Sequence, residues 1–523
     1  MQTINLMKIP KNAVRGLLIL IIFLTVGRAK AQQENANKKL PNIVFIYADD
    51  LGYGDLGAYG ATELKTPNMD KLANGGIRFT NGYATSATCT PSRYALLTGV
   101  YPWREKDAKI LPGTAPLLIK TNQMTIPKML KEKGYHTGIV GKWHLGLGQG
   151  NLDWNQKISP SPNEVGFDYS FILAATKDRV PTVYIENGFV VGLNPKDPLK
   201  VNYDKNFEGE PTAISNPELV KMKWHHGHNN SIVNGVPRIG YMTGGKSAIW
   251  DDYTMSDTFL ARANDYVKIH KSEPFFLYYA IDQPHVPRIP NPRFAGKSGM
   301  GPRGDVILEA DWTIGEFIKT LEKEGLIENT LIVLSSDNGP VLNDGYNDDA
   351  VEKTGKHNPA GPLRGGKYSL FEAGTRVPFI VNWSGKIKPA VSDALVCQID
   401  LLSSLASLVG SDVKTPDSEN LIKVFTGKNN KGREELVLEA TSKTAFRKGD
   451  WAMIPPYKGQ AVYKDVNIEL GNNKDYQLYN LKEDIGEEHN LALSNPKKLN
   501  EMIASYEKIR GKTSNNIAEL KLE

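Results

Sequence analysis

The stretch CTPSRYALLTG at 89–99 puts a reactive side chain in a setting that suits an anion. Cys89 stands just ahead of Pro91, a residue suited to the first position of a helix, and Arg93 follows one turn later. The free amides of a helix start and a fixed positive charge then face whatever the cysteine becomes. A lone cysteine is also a common inert core residue, so the other chemistry-bearing residues must decide. Asp49 and Asp50 follow the apolar run NIVFIYA, and Lys142 and His144 lie in GKWHLG after another. His285 sits between prolines in QPHVP after PFFLYYA, and Asp337 with Asn338 follows LIVLSS. Each alone has an ordinary reading. Paired acids make solvated turns, a Lys and a His two apart decorate surfaces, and Asp-Asn-Gly is a turn tripeptide. A histidine between prolines has few packing reasons to be there.

These groups meet only if the runs before them are neighbouring strands. Residues 42–47, 136–140, 274–280 and 331–335 read as buried, parallel-type strands, and 77–79 as a short one leading toward Cys89. An open α/β sheet gathers ligands in the crevice at the carboxyl ends of its strands. Helices are expected at 66–74, with Thr66 as cap and Pro67 at its start, at 125–132, 257–271 and 311–324, and near Asp400 within 396–408. Residues 150–250 are rich in Pro, Gly and Asn without periodicity, and so long an irregular segment in a compact domain is usually functional. After a polar stretch at 410–431 that reads as a linker, 434–439, 451–454 and 476–481 are expected strands. Asn495-Pro496 then opens a helix with Leu499, Met502, Ile503, Tyr506 and Ile509 on one face. The expected fold class is α/β, with a large mixed, mostly parallel sheet flanked by helices and a smaller C-terminal antiparallel sheet with a packed helix. The expected division is a domain at 32–425 and a C-terminal α+β subdomain at 426–523.

With 523 residues the chain exceeds what one hydrophobic core usually organises, and 40% apolar with 23% charged is an ordinary globular composition. Lys8, Lys11, Arg15, Arg28 and Lys30 account for the whole formal charge of +5, so no nucleic-acid partner is expected. These residues flank an apolar run at 17–26, and Ala29-Lys30-Ala31 offers a small-residue cleavage site. Residues 1–31 therefore read as a secretory signal peptide cleaved near Ala31, giving an exported protein, periplasmic in a Gram-negative source. The apolar run is shorter than the ~20 residues a membrane span needs, so none is expected. The two cysteines, Cys89 and Cys397, leave one disulfide open as an alternative.

Taken in chain order, the motifs resemble the sulfatase family, the arylsulfatase-like branch of the alkaline phosphatase superfamily. Its signature is Cys or Ser, any residue, Pro, Ser or Ala, Arg, and a Leu-Thr-Gly ending. Cys89, Pro91, Ser92, Arg93, Leu97, Thr98 and Gly99 match it. Asp49, Asp50 and Gly52 match the family's first metal-ligand setting, and GKWHLG and LRGGKYSLFEAGTRVP at 363–378 are close to its pattern. The resemblance implies that a maturase oxidises Cys89 to formylglycine before folding and that the aldehyde hydrate is the nucleophile. It implies Asp49, Asp50, Asp337, Asn338 and the group made from Cys89 as metal ligands. Hard oxygens suit one Ca²⁺ in preference to Mg²⁺, which keeps its waters. By the same resemblance Lys142 and Lys367 hold sulfate oxygens and Arg93 orients the hydrate. His285 protonates the leaving sugar oxygen, and His144 helps deprotonate the second hydroxyl as inorganic sulfate departs. A plain thiol or serine has no second hydroxyl for that elimination. Cys397 then has no disulfide partner and reads as a core residue.

Export and the irregular segment favour a sulfated oligosaccharide or polysaccharide as substrate. Resemblance to exported bacterial polysaccharide sulfatases points the same way, with sulfated galactose or N-acetylgalactosamine units preferred. Arg179, Tyr184, His225 and Arg288 are candidate sugar contacts. The run His225, His226, His228 lacks regular zinc-ligand spacing. Two alternatives stand beside this reading. One is a phosphonate or phosphate ester hydrolase of the same superfamily, whose two-metal forms need further His and Asp ligands. The other is a non-catalytic glycan-binding relative, which would be expected to lose the nucleophile or the ligands.

Overall fold

The strand Asn42–Asp49, buried along its whole length, is the axis of a ten-stranded sheet. The computed structural model describes residues 40–150 and 152–511, and the expected signal peptide lies outside them. Phe275–Pro284 and Thr330–Ser336 pair with the axis in parallel on either side, and His136–Lys142 pairs in parallel beyond Phe275–Pro284. Tyr169–Leu173 continues the parallel part before Tyr184–Glu186 and Phe189–Val190 turn antiparallel. On the other flank Phe379–Asn382 runs antiparallel to Thr330–Ser336, followed by Ile77–Phe79 and Ala390–Ser392. The continuous apolar runs of the central strands are explained by helices on both faces. On one face Phe259, Ala263 and Val267 of Met255–Ile269 and Ile307, Ile314 and Phe317 of Gly301–Lys323 pack with Val44, Ile46, Leu277 and Ile332. On the other, Cys89–Thr98 lies against the sheet, with the Tyr47 hydroxyl 3.1 Å from that of Ser92.

Gly141 shows how closely these strands approach. It has φ +113, and a Cβ there would lie 1.9 Å from the Ala280 carbonyl oxygen of the neighbouring strand. Only glycine fits just before Lys142.

Several elements differ from the sequence expectation for local reasons. The helix expected at 311–324 runs from Gly301 to Lys323, because Pro302 falls in its first turn, where proline is tolerated. Asp311 then serves a neighbour, accepting from the backbone amide of Asn68 at 3.0 Å and of Met69 at 2.8 Å at the start of Pro67–Asn74. Within 396–408, Val396–Cys397 is a short strand paired with Gly82–Tyr83, and the helix is Leu401–Leu408. Cys397 and Cys89 are both buried free thiols. The polar stretch at 410–431 contains the helical turn Ile422–Phe425, whose Phe425 packs on Phe79 and Phe379. The long irregular segment carries several two- and three-residue strands, too short to leave a periodic signal.

The C-terminal sheet is antiparallel in the order Glu435–Ala440, Lys443–Lys448, Trp451–Ile454, Gln477–Asn480, and its second strand was not expected from sequence. Pro496–Arg510 covers it through Met502 and Tyr506. That core also takes in Tyr83, Tyr101, Leu395, Cys397 and Ile399, and the described residues from Asn42 to Gly511 belong to one compact unit.

Candidate active site

Four adjacent parallel strands deliver the chemistry-bearing side chains to one sheet edge. Asp49 ends the central strand with Asp50 beyond it, His285 follows Phe275–Pro284, Asp337 follows Thr330–Ser336, and Lys142 ends His136–Lys142. The segment before Cys89 arrives differently from the expected fifth strand end: Gly82–Tyr83 pairs outside the large sheet. Cys89 is itself the first helical residue, with Thr88 as N-cap, so Pro91 occupies the third position and not the first. The helix is pinned to the histidine loop by the Thr90 hydroxyl, which donates to the His144 carbonyl at 2.8 Å.

Charges at this edge interlock. Lys142 Nζ lies 2.7 Å from both carboxylate oxygens of Asp49. Arg93 donates through Nε and Nη2 to Asp337 Oδ2 at 3.0 and 2.8 Å. Lys367 Nζ bridges Asp50 at 2.9 Å and Asp344 at 2.8 Å. Burial works to raise the Asp337 pKa, but Arg93 and Lys142 outweigh it and hold the carboxyl at about 2. Burial keeps Asp50 raised despite Lys367. Asp49, Asp50, Asp337 and Asp344 thus face Lys142, Lys367 and Arg93, one fewer cation than anions.

That imbalance suits a metal ion. Asn338 Oδ1 is buried and has no hydrogen-bond partner among the described residues, while its Nδ2 donates to Asp50 Oδ1 at 2.7 Å. Donor atoms of Asp49, Asp50, Cys89 and His285 lie within 4.8 Å of one another. An orphaned amide oxygen beside crowded carboxylates is a hard-oxygen donor set, the chemistry of Ca²⁺.

Both histidines are buried, and burial, aided by nearby lysines, lowers their pKa well below the ordinary value. His144 Nε2 lies 2.9 Å from the Leu111 carbonyl and therefore carries the proton, leaving Nδ1, which has no partner among the described residues, as a free base. His285 Nδ1 donates to the Val286 carbonyl at 2.7 Å, and its Nε2 stands 3.9 Å from Asp50 Oδ2. Burial pushes the Cys89 thiol up despite Lys142, so an unmodified Cys89 is not a thiolate near neutral pH.

A cavity of about 740 Å³ opens above Cys89, His144, His285 and Lys367. The long irregular segment lines it with Asp178, Arg179, Tyr203 and His228, and the C-terminal sheet region adds Ser442 and Tyr463. Arg179 is the sequence-selected sugar contact that lines this cavity. Tyr184 is packed between Phe171, Trp250 and Phe259, away from it. Arg288 is buried in a clamp, donating to the carbonyls of Pro284, Val341 and Leu342 and to Asp348. His225 lines a separate hollow beside Asn347 and Asp349. Sequence reasoning did not select Asp178, His228 or Asp344. Asp178 accepts from His228 Nε2 at 2.9 Å, and both residues line the cavity together with Lys367.

Fold and site together define an α/β enzyme that receives an anionic ester in a cation-lined crevice. The sulfatase family model matches residues 41–411, and the chain belongs to the sulfatase family. It is a sulfuric ester hydrolase. It is 50% identical over 508 residues to an N-acetylgalactosamine-6-O-sulfatase of Bacteroides thetaiotaomicron, covering 96% of this chain and 99% of that one. It is 31% identical to human arylsulfatase A over 501 residues, 90% of this chain and 86% of the relative. A solved 6S-sulfatase structure, described with the metabolism of multiple glycosaminoglycans by Bacteroides thetaiotaomicron, is 50% identical and superposes at TM-score 0.89. It covers 91% of this chain and 100% of that one. Among the described residues no helix is long and apolar enough to cross a membrane.

Proposed function

We propose that this sulfatase removes the 6-O-sulfate of N-acetylgalactosamine units in a sulfated glycan and releases inorganic sulfate. The carrying observation is 50% identity along 96% of the chain to an N-acetylgalactosamine-6-O-sulfatase. The cavity adds chemical support, since Asp178, His228 and Arg179 offer acceptors and donors for sugar hydroxyls beside the cation-lined end.

Ca²⁺ held by Asp49, Asp50, Asp337 and Asn338 would neutralise sulfate charge and favour the ionised nucleophile. Formylglycine, made from Cys89 by a maturase, would supply the two hydroxyls of a hydrated aldehyde. Around that centre Lys142 and Lys367 bind sulfate oxygens, and Arg93 holds Asp337 and faces the first turn of the cysteine helix. His144 Nδ1 accepts a proton as its Nε2–H stays anchored on Leu111. His285 Nε2 delivers a proton to the departing sugar oxygen. Asp178 and the negative charge of the ester favour its protonated form against the burial and the Lys367 and Lys142 charges that oppose it. Residues 1–31 direct the protein out of the cytoplasm.

The test is desulfation of a panel of the 6-sulfates of N-acetylgalactosamine, galactose and N-acetylglucosamine and the 4-sulfate of N-acetylgalactosamine, using protein coexpressed with a maturase. Turnover should be fastest on N-acetylgalactosamine 6-sulfate. Faster hydrolysis of the 4-sulfate, or of an aryl phosphate, overturns the assignment. Mass analysis of the Cys89 peptide checks the modification, and an unmodified cysteine in fully active enzyme refutes it.

A further inference from the structure

We propose that His136, His270 and Glu273 form a second metal site, for Zn²⁺ or a similar first-row transition ion, at the opposite edge of the sheet from the catalytic cavity. One donor atom from each lies within 4.8 Å of the other two. His136 opens the strand His136–Lys142, and its Nε2 stands 2.7 Å from Glu273 Oε2. His270 caps the C-terminus of Met255–Ile269 and stacks on His136 with ring centroids 4.4 Å apart.

The fold sets the backbone beneath all three. The Glu273 amide donates to the His270 carbonyl at 3.2 Å, and the His136 amide donates to the Pro274 carbonyl at 3.0 Å. His136 is then registered opposite Phe275 of the neighbouring strand. Only side-chain rotation is needed to close on an ion, and Glu273 is exposed and free to make it.

Two imidazoles and a carboxylate are the donors of a zinc-type site with a fourth position left for water. The nitrogen content argues against Ca²⁺, which takes oxygen ligands. Burial and the neighbouring His136 hold His270 below its ordinary pKa, so its lone pair is available at neutral pH. Asp168 also faces His270 and adds favourable negative charge. The strand His136–Lys142 separates this cluster from Lys142 by about 20 Å at ~3.3 Å per residue. An ion here clips strand to helix end and takes no part in ester cleavage.

The experiment is titration of the purified full-length enzyme with Co²⁺ followed by visible absorption, then displacement by Zn²⁺. One equivalent with the d–d bands of a low-coordinate nitrogen–oxygen site is expected, together with a raised Tm. His136→Ala and His270→Ala should lose that equivalent. Glu273→Gln, a change at an exposed position, should weaken it at least tenfold, and all three should keep desulfation rates within twofold of the parent. No such equivalent, one that survives all three substitutions, or one removed by His226→Ala instead, overturns the proposal.

Discussion

At the residue scale, the site divides into groups whose charge is met and groups left open. Arg93, Lys142 and Lys367 each satisfy a carboxylate, whereas His144 Nδ1 and Asn338 Oδ1 have no partner among the described residues. His144 is the sharper test, because the Leu111 carbonyl fixes its tautomer and leaves one basic nitrogen on the cavity. Replacing it by Ala removes a proton acceptor without touching the cations that bind sulfate. Loss of such a group lowers turnover by roughly 10²–10⁴-fold, so kcat for a glycan sulfate should fall by that order with KM little changed. Steady-state kinetics decide it, and a large rise in KM with kcat intact would contradict the role. These motif residues were legible in the sequence because strand-end chemistry keeps a short, recognisable spacing. Asp344 was not, since it sits in the turn-like run LNDGYND, and the Asp178–His228 pair was not, since it joins residues 50 positions apart in an irregular segment. Arg288 is buried and ties two loops by carbonyl bonds, a setting that looks the same in sequence as an exposed arginine.

At the element scale, the start of the cysteine helix is braced by the C-terminal sheet. The Glu439 carboxylate accepts from the Ser86 hydroxyl and from the Ser442 amide, and Ser86 Oγ in turn accepts from the Thr88 amide at 3.2 Å. Backbone bonds from Ala87 to Glu439 and from Glu439 to Thr85, at 2.8 and 3.0 Å, complete the brace. Burial raises the Glu439 pKa from an ordinary 4.5 to about 7. The folded protein therefore keeps a proton between those values that the unfolded chain has released. Its contribution is full below pH 4.5 and is lost as pH rises through about 7, a change of about 3 kcal/mol. Glu439→Gln removes this titration while Oε1 still accepts from Ser442 and Nε2 donates to Ser86. Thermal unfolding at pH 5 and pH 8 should show the variant gaining on the parent as pH rises. An equal gap at both values would remove the account. None of this was visible in sequence, where 434–439 reads only as a short strand and the next strand, bounded by Lys443 and Lys448, was missed.

At the scale of the whole molecule, the central strands of the large sheet were legible because they are continuous apolar runs, and helices on both faces require that pattern, whereas Tyr169–Leu173, Tyr184–Glu186 and Phe189–Val190 lie in the stretch that reads as irregular. The relation between the two sheets was not legible, because pairing across more than 300 residues leaves no local mark. Tyr83, Tyr101, Leu395, Cys397 and Ile399 from the catalytic part share one core with Leu436, Phe446, Leu478, Met502 and Tyr506. Ser442 and Tyr463 reach the cavity itself. Removing everything after Phe425 would uncover that core, where each large side chain taken out of water contributes ~1.5–3 kcal/mol, and would strip the brace from the cysteine helix. The shortened chain should therefore be insoluble or inactive even on a small aryl sulfate. In the intact protein, loss of activity, near-ultraviolet dichroism and tryptophan fluorescence should coincide in one urea transition, with no active intermediate. A soluble 32–425 fragment with parental activity, or a C-terminal transition well separated from loss of activity, would show the two sheets to be energetically independent.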